Sequence, residues 1–169
     1  MGLIANTKRL RAVLTASLML VAIAGSAAAG PLDFFRDVYQ KLFGPTQFEK
    51  GEAAYIRHDY ATALQLWQPL ADKGDGGAQT YLGLMYDNGS GVPRNYAEAA
   101  KWYRLAAEQN YAVAQGNLGE MYNEGRGVPK DEAEAVKWLC RAADADEEEA
   151  QTYLEVKFEG GREVCKAMR

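Results

Sequence analysis

The sequence predicts an all-α protein, a solenoid of helix-turn-helix repeats, from three observations. Residues 78–113 and 114–149 are identical at 17 of 36 aligned positions without a gap. Apolar residues in each copy recur at helical spacing, and a Gly-x-Gly-Val-Pro segment separates two such stretches. Because one helical hairpin cannot bury its own apolar faces, neighbouring copies are expected to stack.

The first helix of each copy is predicted from one apolar stripe. Ala78, Leu82 and Tyr86 lie four residues apart, which places them on the same face of a helix. Gly89 and Gly91 follow, and they provide the backbone freedom that ends a helix and turns the chain. All five residues recur 36 positions later.

The second helix is predicted to begin at a capping residue. Asn95 and Asp131 are N-cap types, and each precedes a glutamate by three residues, the pattern of a reciprocal capping box. Small residues such as Gly83 let the two helices approach closely. Trp102 and Tyr86 are predicted to fill the space between them.

One motif occurs in both copies: Ala-x3-Leu-Gly-x-Met-Tyr-x2-Gly-x-Gly-Val-Pro, followed by Ala-x-Lys-Trp-x3-Ala-Ala. It resembles the Sel1-like repeat, a relative of the tetratricopeptide repeat. The resemblance implies a right-handed α-solenoid that binds a protein partner. It also implies roles such as regulating envelope sensors, assisting envelope assemblies or contacting host proteins.

The chain is accordingly predicted to have six segments. They are a cleaved secretory signal peptide (1–29), an N-terminal capping helix (30–44), a degenerate tetratricopeptide-like repeat (45–77), two Sel1-like repeats (78–113 and 114–149) and a C-terminal capping half-repeat (150–169).

The first segment has the three parts of a secretory signal. Three bases lie between positions 8 and 11, an apolar stretch covers residues 12–24, and Ala27-x-Ala29 offers small residues for cleavage. The apolar stretch is shorter than the roughly 20 residues of a membrane span, which disfavours the alternative of an uncleaved anchor. The mature protein is predicted to be periplasmic or secreted, without stable membrane insertion.

The capping helix is predicted from aromatic and aliphatic residues on one helical face between Phe34 and Phe43. Its expected role is to seal the first repeat. A docking helix for a partner or a membrane surface is the alternative.

The charge balance argues against nucleic-acid binding. Lys and Arg total 19 against 23 acids, and the chain after the signal carries 16 bases against those 23 acids. His58 is the one histidine, so we predict no metal site and no cofactor. Because His58 and Ser90 fall in predicted turns, we predict no catalytic residues.

Cys140 and Cys165 are the two cysteines of the chain. An even number of cysteines in an exported protein favours a disulfide, and adjacent solenoid helices are expected to bring the two together. Two unpaired thiols are the alternative.

An acidic run, Asp144 and residues 146–149, lies where the last repeat begins. We predict that these carboxylates favour the positive end of a helix dipole. Binding of calcium or of a basic partner is the alternative.

The partner is expected on the concave face, at first-helix positions that differ between copies. By analogy with the tetratricopeptide pattern these are Glu52, Tyr55, Thr80, Leu84, Asp87, Gly116, Glu120 and Asn123. The predicted function is an adaptor that holds a peptide segment or helix of a protein. An enzyme or ligand binder acting on cell-wall fragments or β-lactams is one alternative, and a purely structural envelope component is another.

Overall fold

The computed structural model describes residues 44–145, 147–161 and 163–167, which contain helices and turns and no strand. The predicted signal peptide, nearly all of the predicted capping helix and Asp146 of the acidic run lie outside the described residues. The helices are α1 (Gln47–Ile56), α2 (Tyr60–Ala71), α3 (Gly76–Asn88), α4 (Tyr96–Glu108), α5 (Ala112–Glu124), α6 (Glu132–Asp144), α7 (Glu148–Lys157) and α8 (Glu163–Ala167).

The helices pair and then stack in chain order. α1 packs on α2, α3 on α4 and α5 on α6, and each pair also packs on the next through α2 with α3, α4 with α5 and α6 with α7. In a helical-repeat solenoid each helix contacts mainly its neighbours in the chain, as observed here. The structure therefore confirms the predicted fold class. Among the described helices, none combines the length and the apolar composition needed to cross a bilayer.

A glycine inside the first helix of each pair allows close packing. A Cβ atom on Gly83 would lie 2.5 Å from Cδ1 of Tyr103, and one on Gly119 would lie 2.7 Å from Cγ of Leu139. Tyr103 and Leu139 are fully buried. Tyr86 and Trp102 are half-buried: Tyr86 packs against the buried cluster that contains Tyr103, and Trp102 packs against the one that contains Leu82, in agreement with their predicted place between the helices.

The turn between paired helices follows the glycine prediction. Gly89 ends α3 with φ 73° and Gly125 ends α5 with φ 72°, both in the left-handed region. Each glycine N–H donates to the carbonyl oxygen of a methionine four residues earlier, Met85 or Met121. These bonds satisfy carbonyl groups that the helix ends leave unpaired.

The predicted N-caps are present, but the reciprocal half of the capping box is not. The side chain of Asn95 accepts a hydrogen bond from the backbone N–H of Glu98, as expected. The Asn95 N–H instead donates to the carbonyl oxygen of Tyr86, while Glu98 forms an ion pair with Lys101 at 2.7 Å. Asp131 repeats this arrangement one copy later, because its N–H is likewise taken by the preceding helix.

A glutamine that is buried at positions 79 and 115 and half-buried at position 151 joins α3, α5 and α7 to the helix pair that precedes each of them. The Nε2 atoms of Gln79, Gln115 and Gln151 donate to the carbonyl oxygens of Ala71, Ala107 and Ala143 at 3.0, 3.0 and 3.2 Å. Each acceptor lies at or next to the end of a second helix, where carbonyl groups lack partners within the helix. The joint therefore recurs at every described repeat boundary.

The last repeat is closed covalently. Cys140 of α6 and Cys165 of α8 form a disulfide with a Cα–Cα distance of 5.5 Å and a sequence separation of 25, which confirms the expected pairing. Cys165 lies in the short helix α8. Constraining a loop of this length stabilises a fold by about 3 kcal/mol.

The helix-packing account predicts opposite effects for two glycine substitutions on α5. Gly119→Ala is expected to lower the free energy of unfolding by about 2 kcal/mol, because the new methyl group overlaps Leu139. Gly116→Ala is expected to leave stability unchanged or raise it by up to about 1 kcal/mol. Its Cβ would make ordinary contacts with Ala150, and alanine favours helix. Urea unfolding measures both, and equal effects would contradict the account.

Candidate functional site on the A helices

We call α1, α3, α5 and α7 the A helices, and α2, α4 and α6 the B helices. Seven of the eight residues predicted to contact a partner are half-buried on A helices. The eighth, Gly116, is buried, with Cβ atoms of Ala150 and Ala142 3.6 and 3.9 Å from the position its own Cβ would take. Gly116 therefore offers no side chain to a partner, and it does not belong to the predicted set of contact residues.

Hydrogen bonds link these residues from one A helix to the next. The Tyr81 hydroxyl on α3 donates to Oε1 of Glu52 on α1 at 3.0 Å. The amide of Asn123 on α5 donates to the Tyr153 hydroxyl on α7 at 2.9 Å. The A helices thus present one connected surface, which we call the A-helix surface: Glu52, Tyr55, Thr80, Leu84, Asp87, Glu120, Asn123, Thr152, Tyr153 and Val156.

An aromatic cluster supports the first part of this surface. The Trp67 and Tyr81 rings stack with centroids 4.2 Å apart, and Tyr55 lies 5.9 Å from Tyr81 and 5.7 Å from Trp67. Burial, followed by the hydrogen bond with Glu52, raises the pKa of Tyr81 to about 12. Tyr81 therefore stays a hydrogen-bond donor to Glu52 at physiological pH.

Arg126 binds three carboxylates on the middle of the surface. Its Nη1 lies 3.0 Å from Oδ1 of Asp87, its Nε 2.7 Å from Oε2 of Glu124, and its Nη2 3.9 Å from Oε2 of Glu120. The guanidinium also lies over the Tyr96 ring, 5.6 Å from the centroid. Arg126 follows α5 while Asp87 belongs to α3, so this cluster connects two repeats.

The three carboxylates outnumber the cation that they share. Burial raises the pKa of Asp87, against a smaller lowering by Arg126. Burial likewise raises the pKa of Glu120; Arg126 lowers it, and Glu124, Glu149 and Asp87 raise it to a smaller extent. Burial is thus the main cause of both shifts, and the lowering by Arg126 does not cancel it.

Sequence analysis missed the role of Arg126. The residue occupies the Ser90 position of the preceding copy, and variation between two glycines suggested an exposed turn. The structure places the Arg126 side chain against α3 instead. One signal in the sequence could have indicated this contact: the arginine occurs in only one copy, and the preceding A helix carries the acidic Asp87.

A cleft lies at the end of the surface formed by α5 and α7. Its volume is about 620 Å3, and it is lined by Glu120, Glu148, Glu149, Thr152, Tyr153, Val156 and Lys157. Val156 is 72% exposed. The cleft thus combines carboxylates with an exposed apolar side chain.

The residues considered for catalysis lie in turns, as predicted. His58 is exposed with φ 61°, and its Nδ1 is 2.8 Å from the Tyr60 hydroxyl. Ser90 lies between Gly89 and Gly91, and its backbone N–H donates to the Met85 carbonyl oxygen. Within the described ranges, no group of three or more His, Cys, Asp or Glu side chains is arranged to hold a metal ion.

Stacked helical hairpins with a connected A-helix surface define the chain as a helical-repeat scaffold. The family model of the Sel1 repeat matches residues 48–75, 77–111 and 112–147, so the chain belongs to the Sel1-repeat family. Sel1-repeat proteins generally mediate protein–protein interactions. The matched units follow the three helix pairs of the structure.

Two crystal structures show the same fold. A Sel1 repeat protein from Oxalobacter formigenes is 34% identical with a TM-score of 0.64, over 70% of this chain and 47% of that protein. A protective antigen of uropathogenic Escherichia coli with an SLR fold is 32% identical with a TM-score of 0.62, over 78% of this chain and 29% of that protein. This chain therefore spans less than half of either relative, and no curated protein matches it.

Arg126→Ser, which installs the residue of the preceding copy, is expected to lower the free energy of unfolding by about 1 kcal/mol at pH 7. Asp87, Glu120 and Glu124 would then repel one another without a cation. Arg126 lowers the pKa values of Asp87 and Glu120, so the stability that it contributes is present while these carboxylates are ionised and is lost as they are protonated. The loss in the variant should therefore shrink toward pH 4.

Urea unfolding at the two pH values measures this dependence. Arg126→Lys, which keeps the charge but loses the two-pronged guanidinium geometry, serves as the control and should show a smaller loss. A loss that is the same at both pH values would contradict the electrostatic role of Arg126.

Proposed function

We propose that the protein is an adaptor of the bacterial envelope that holds a segment of a protein partner on its A-helix surface. The observation that carries this proposal is the connected row of half-buried and exposed residues, polar and apolar, that runs from Glu52 on α1 to Val156 on α7. Family membership supports the same class of function, since Sel1 repeats generally mediate protein–protein interaction.

The contrast between repeating and varying positions supports this choice of surface. Positions that pack the hairpins repeat, as at Gly83 and Gly119 or Gln79 and Gln115. The A-helix surface carries Leu84 in one copy and Glu120 at the same position of the next. Packing between helices requires the same residue in every copy, whereas positions that recognise a particular partner can differ between copies.

The size of the surface indicates the form of the partner. Three helix pairs and α7 present a short row of A helices, each 10 to 13 residues long. Such a row fits an extended peptide or one helix better than a globular domain. We therefore propose that the protein captures a segment, in the manner of a regulator of an envelope sensor or assembly.

A periplasmic or secreted location is part of the proposal. The Cys140–Cys165 disulfide is compatible with an oxidising compartment outside the cytoplasm. The signal-like first 29 residues agree with such a location. Amino-terminal sequencing of the exported protein would show whether the chain begins after Ala29.

The adaptor proposal is tested by crosslinking and capture from the periplasm. The test variant carries Glu52→Gln, Asp87→Asn and Glu120→Gln, which remove three charges from the A-helix surface. The amides keep acceptors for Tyr81 and Arg126, so the fold should persist. We expect a protein that is captured by the native chain to be lost from this variant, as measured by quantitative mass spectrometry.

A matched variant controls for net charge. Asp72→Asn, Glu108→Gln and Glu132→Gln remove the same charge from exposed positions at the B helices. The control should retain the partner, and its thermal unfolding should match that of the test variant. Equal capture by all three proteins, or loss from the control alone, would overturn the proposed surface.

A further inference from the structure

The cleft between α5 and α7 carries an excess of negative charge. Glu120, Glu148 and Glu149 line it, and Lys157 is the one base among the lining residues of this described cleft. Glu120 is also the most distant of the three carboxylates bound by Arg126, at 3.9 Å, compared with 2.7 Å for Glu124. Arg126 is therefore committed mainly to Asp87 and Glu124.

Glu120 is the carboxylate that lies farthest from the guanidinium among the three that Arg126 binds. Burial is the main cause of the raised pKa of Glu120; Arg126 lowers that pKa, and the neighbouring charges of Glu124, Glu149 and Asp87 raise it to a smaller extent. A cation entering the cleft between Glu120 and Glu149 would relieve this repulsion. The nearby Arg126 cluster shows that carboxylates on two A helices of this protein already accept one guanidinium.

The same cleft offers an apolar contact. Val156 is 72% exposed. Beside it, the Tyr153 hydroxyl accepts a hydrogen bond from Asn123 and lies near Glu124, and these contacts hold the Tyr153 ring in place. Val156 and Thr152 lie four residues apart on α7, hence on the same helical face as Glu149. A ligand that covers this face must place apolar groups beside its positive charges.

The negative charge of the cleft favours a basic ligand over an acidic one. A second copy of this chain would bring its own excess of acidic residues, and a phosphate-bearing lipid or nucleic acid would be repelled as well. A segment with lysine or arginine on one side and aliphatic residues on the other matches both features of the cleft. Amphipathic helices commonly bind in grooves on the surface of other proteins.

We propose that the cleft lined by Glu120, Glu149 and Val156 is the anchoring site for a basic amphipathic segment of the protein partner. This inference rests on the proposed adaptor function and specifies the chemistry of what it captures. Basic side chains pair with Glu120 and Glu149, and an aliphatic side chain covers Val156. Salt weakens the first contact and leaves the second largely intact.

The test measures binding of a synthetic peptide to the mature protein by fluorescence anisotropy. The probe is a capped helical peptide of about 14 residues with lysines on one face and leucines on the other. A scrambled peptide of the same composition lacks the two faces. We expect the amphipathic peptide to bind, and to bind at least about tenfold more tightly than the scrambled one.

Two pairs of variants locate the site. Glu120→Gln with Glu149→Gln is expected to weaken binding about tenfold, whereas Glu108→Gln with Glu132→Gln, on the B helices, should change it less than about twofold. Val156→Ser should weaken binding about fivefold. Leu105→Ser, which alters another exposed aliphatic residue on α4, should have no effect. Circular dichroism melting confirms that each variant is folded.

The possible outcomes distinguish a failure of this inference from a failure of the proposed adaptor function. Equal binding of both peptides, or equal weakening by both glutamate pairs, would show attraction to net charge alone and would overturn the cleft assignment. If capture from the periplasm still depends on the A-helix surface while the basic peptide does not bind, the adaptor function stands and the inferred partner chemistry is wrong. If both fail, the surface itself is misassigned.

Discussion

The hydrogen bond between a recurring glutamine, buried at two of its three positions, and the preceding B helix is the interaction on which the stacked structure depends. Gln79, Gln115 and Gln151 each donate to an alanine carbonyl at the end of the helix pair before them. A buried amide without a partner destabilises a fold by about 1 to 3 kcal/mol, so this bond strongly disfavours other orientations of one pair on the next. Because the orientation repeats, the A helices line up along one side.

That alignment converts ordinary surface residues into a candidate binding surface. Glu52 reaches Tyr81, Asp87 reaches Arg126 and Asn123 reaches Tyr153, each across a boundary between repeats. These polar contacts hold side chains in place before any partner arrives, which reduces the entropy lost on binding. At the end of the row there is no further described A helix to cover Val156, and the cleft begins there.

The sequence was sufficient for the parts of the fold that recur. The left-handed glycines at Gly89 and Gly125, the caps at Asn95 and Asp131, and the disulfide all follow from residue types whose local behaviour is narrow. The family resemblance was also correct. These features depend on neighbours close in the chain or on a count of cysteines.

The features that sequence reasoning missed depend on contacts between distant residues. The partner of Arg126 lies 39 residues away, and nothing local distinguishes its position from that of Ser90. The burial of Gly116 depends on Ala150 of the next repeat. Gln79 recurs as Gln115 in the next copy, but its acceptor is a backbone carbonyl, which every residue type provides.

The central claim is that a partner segment lies on the A helices, with its anchor at α7. Methyl NMR spectra of the labelled protein, recorded while the basic amphipathic peptide is added, test this claim most directly. The account predicts the largest shift changes at Val156, smaller ones at Leu84, and little change at Leu105 on the B helix α4. Shift changes centred on Leu105, or spread evenly over all three, would contradict it.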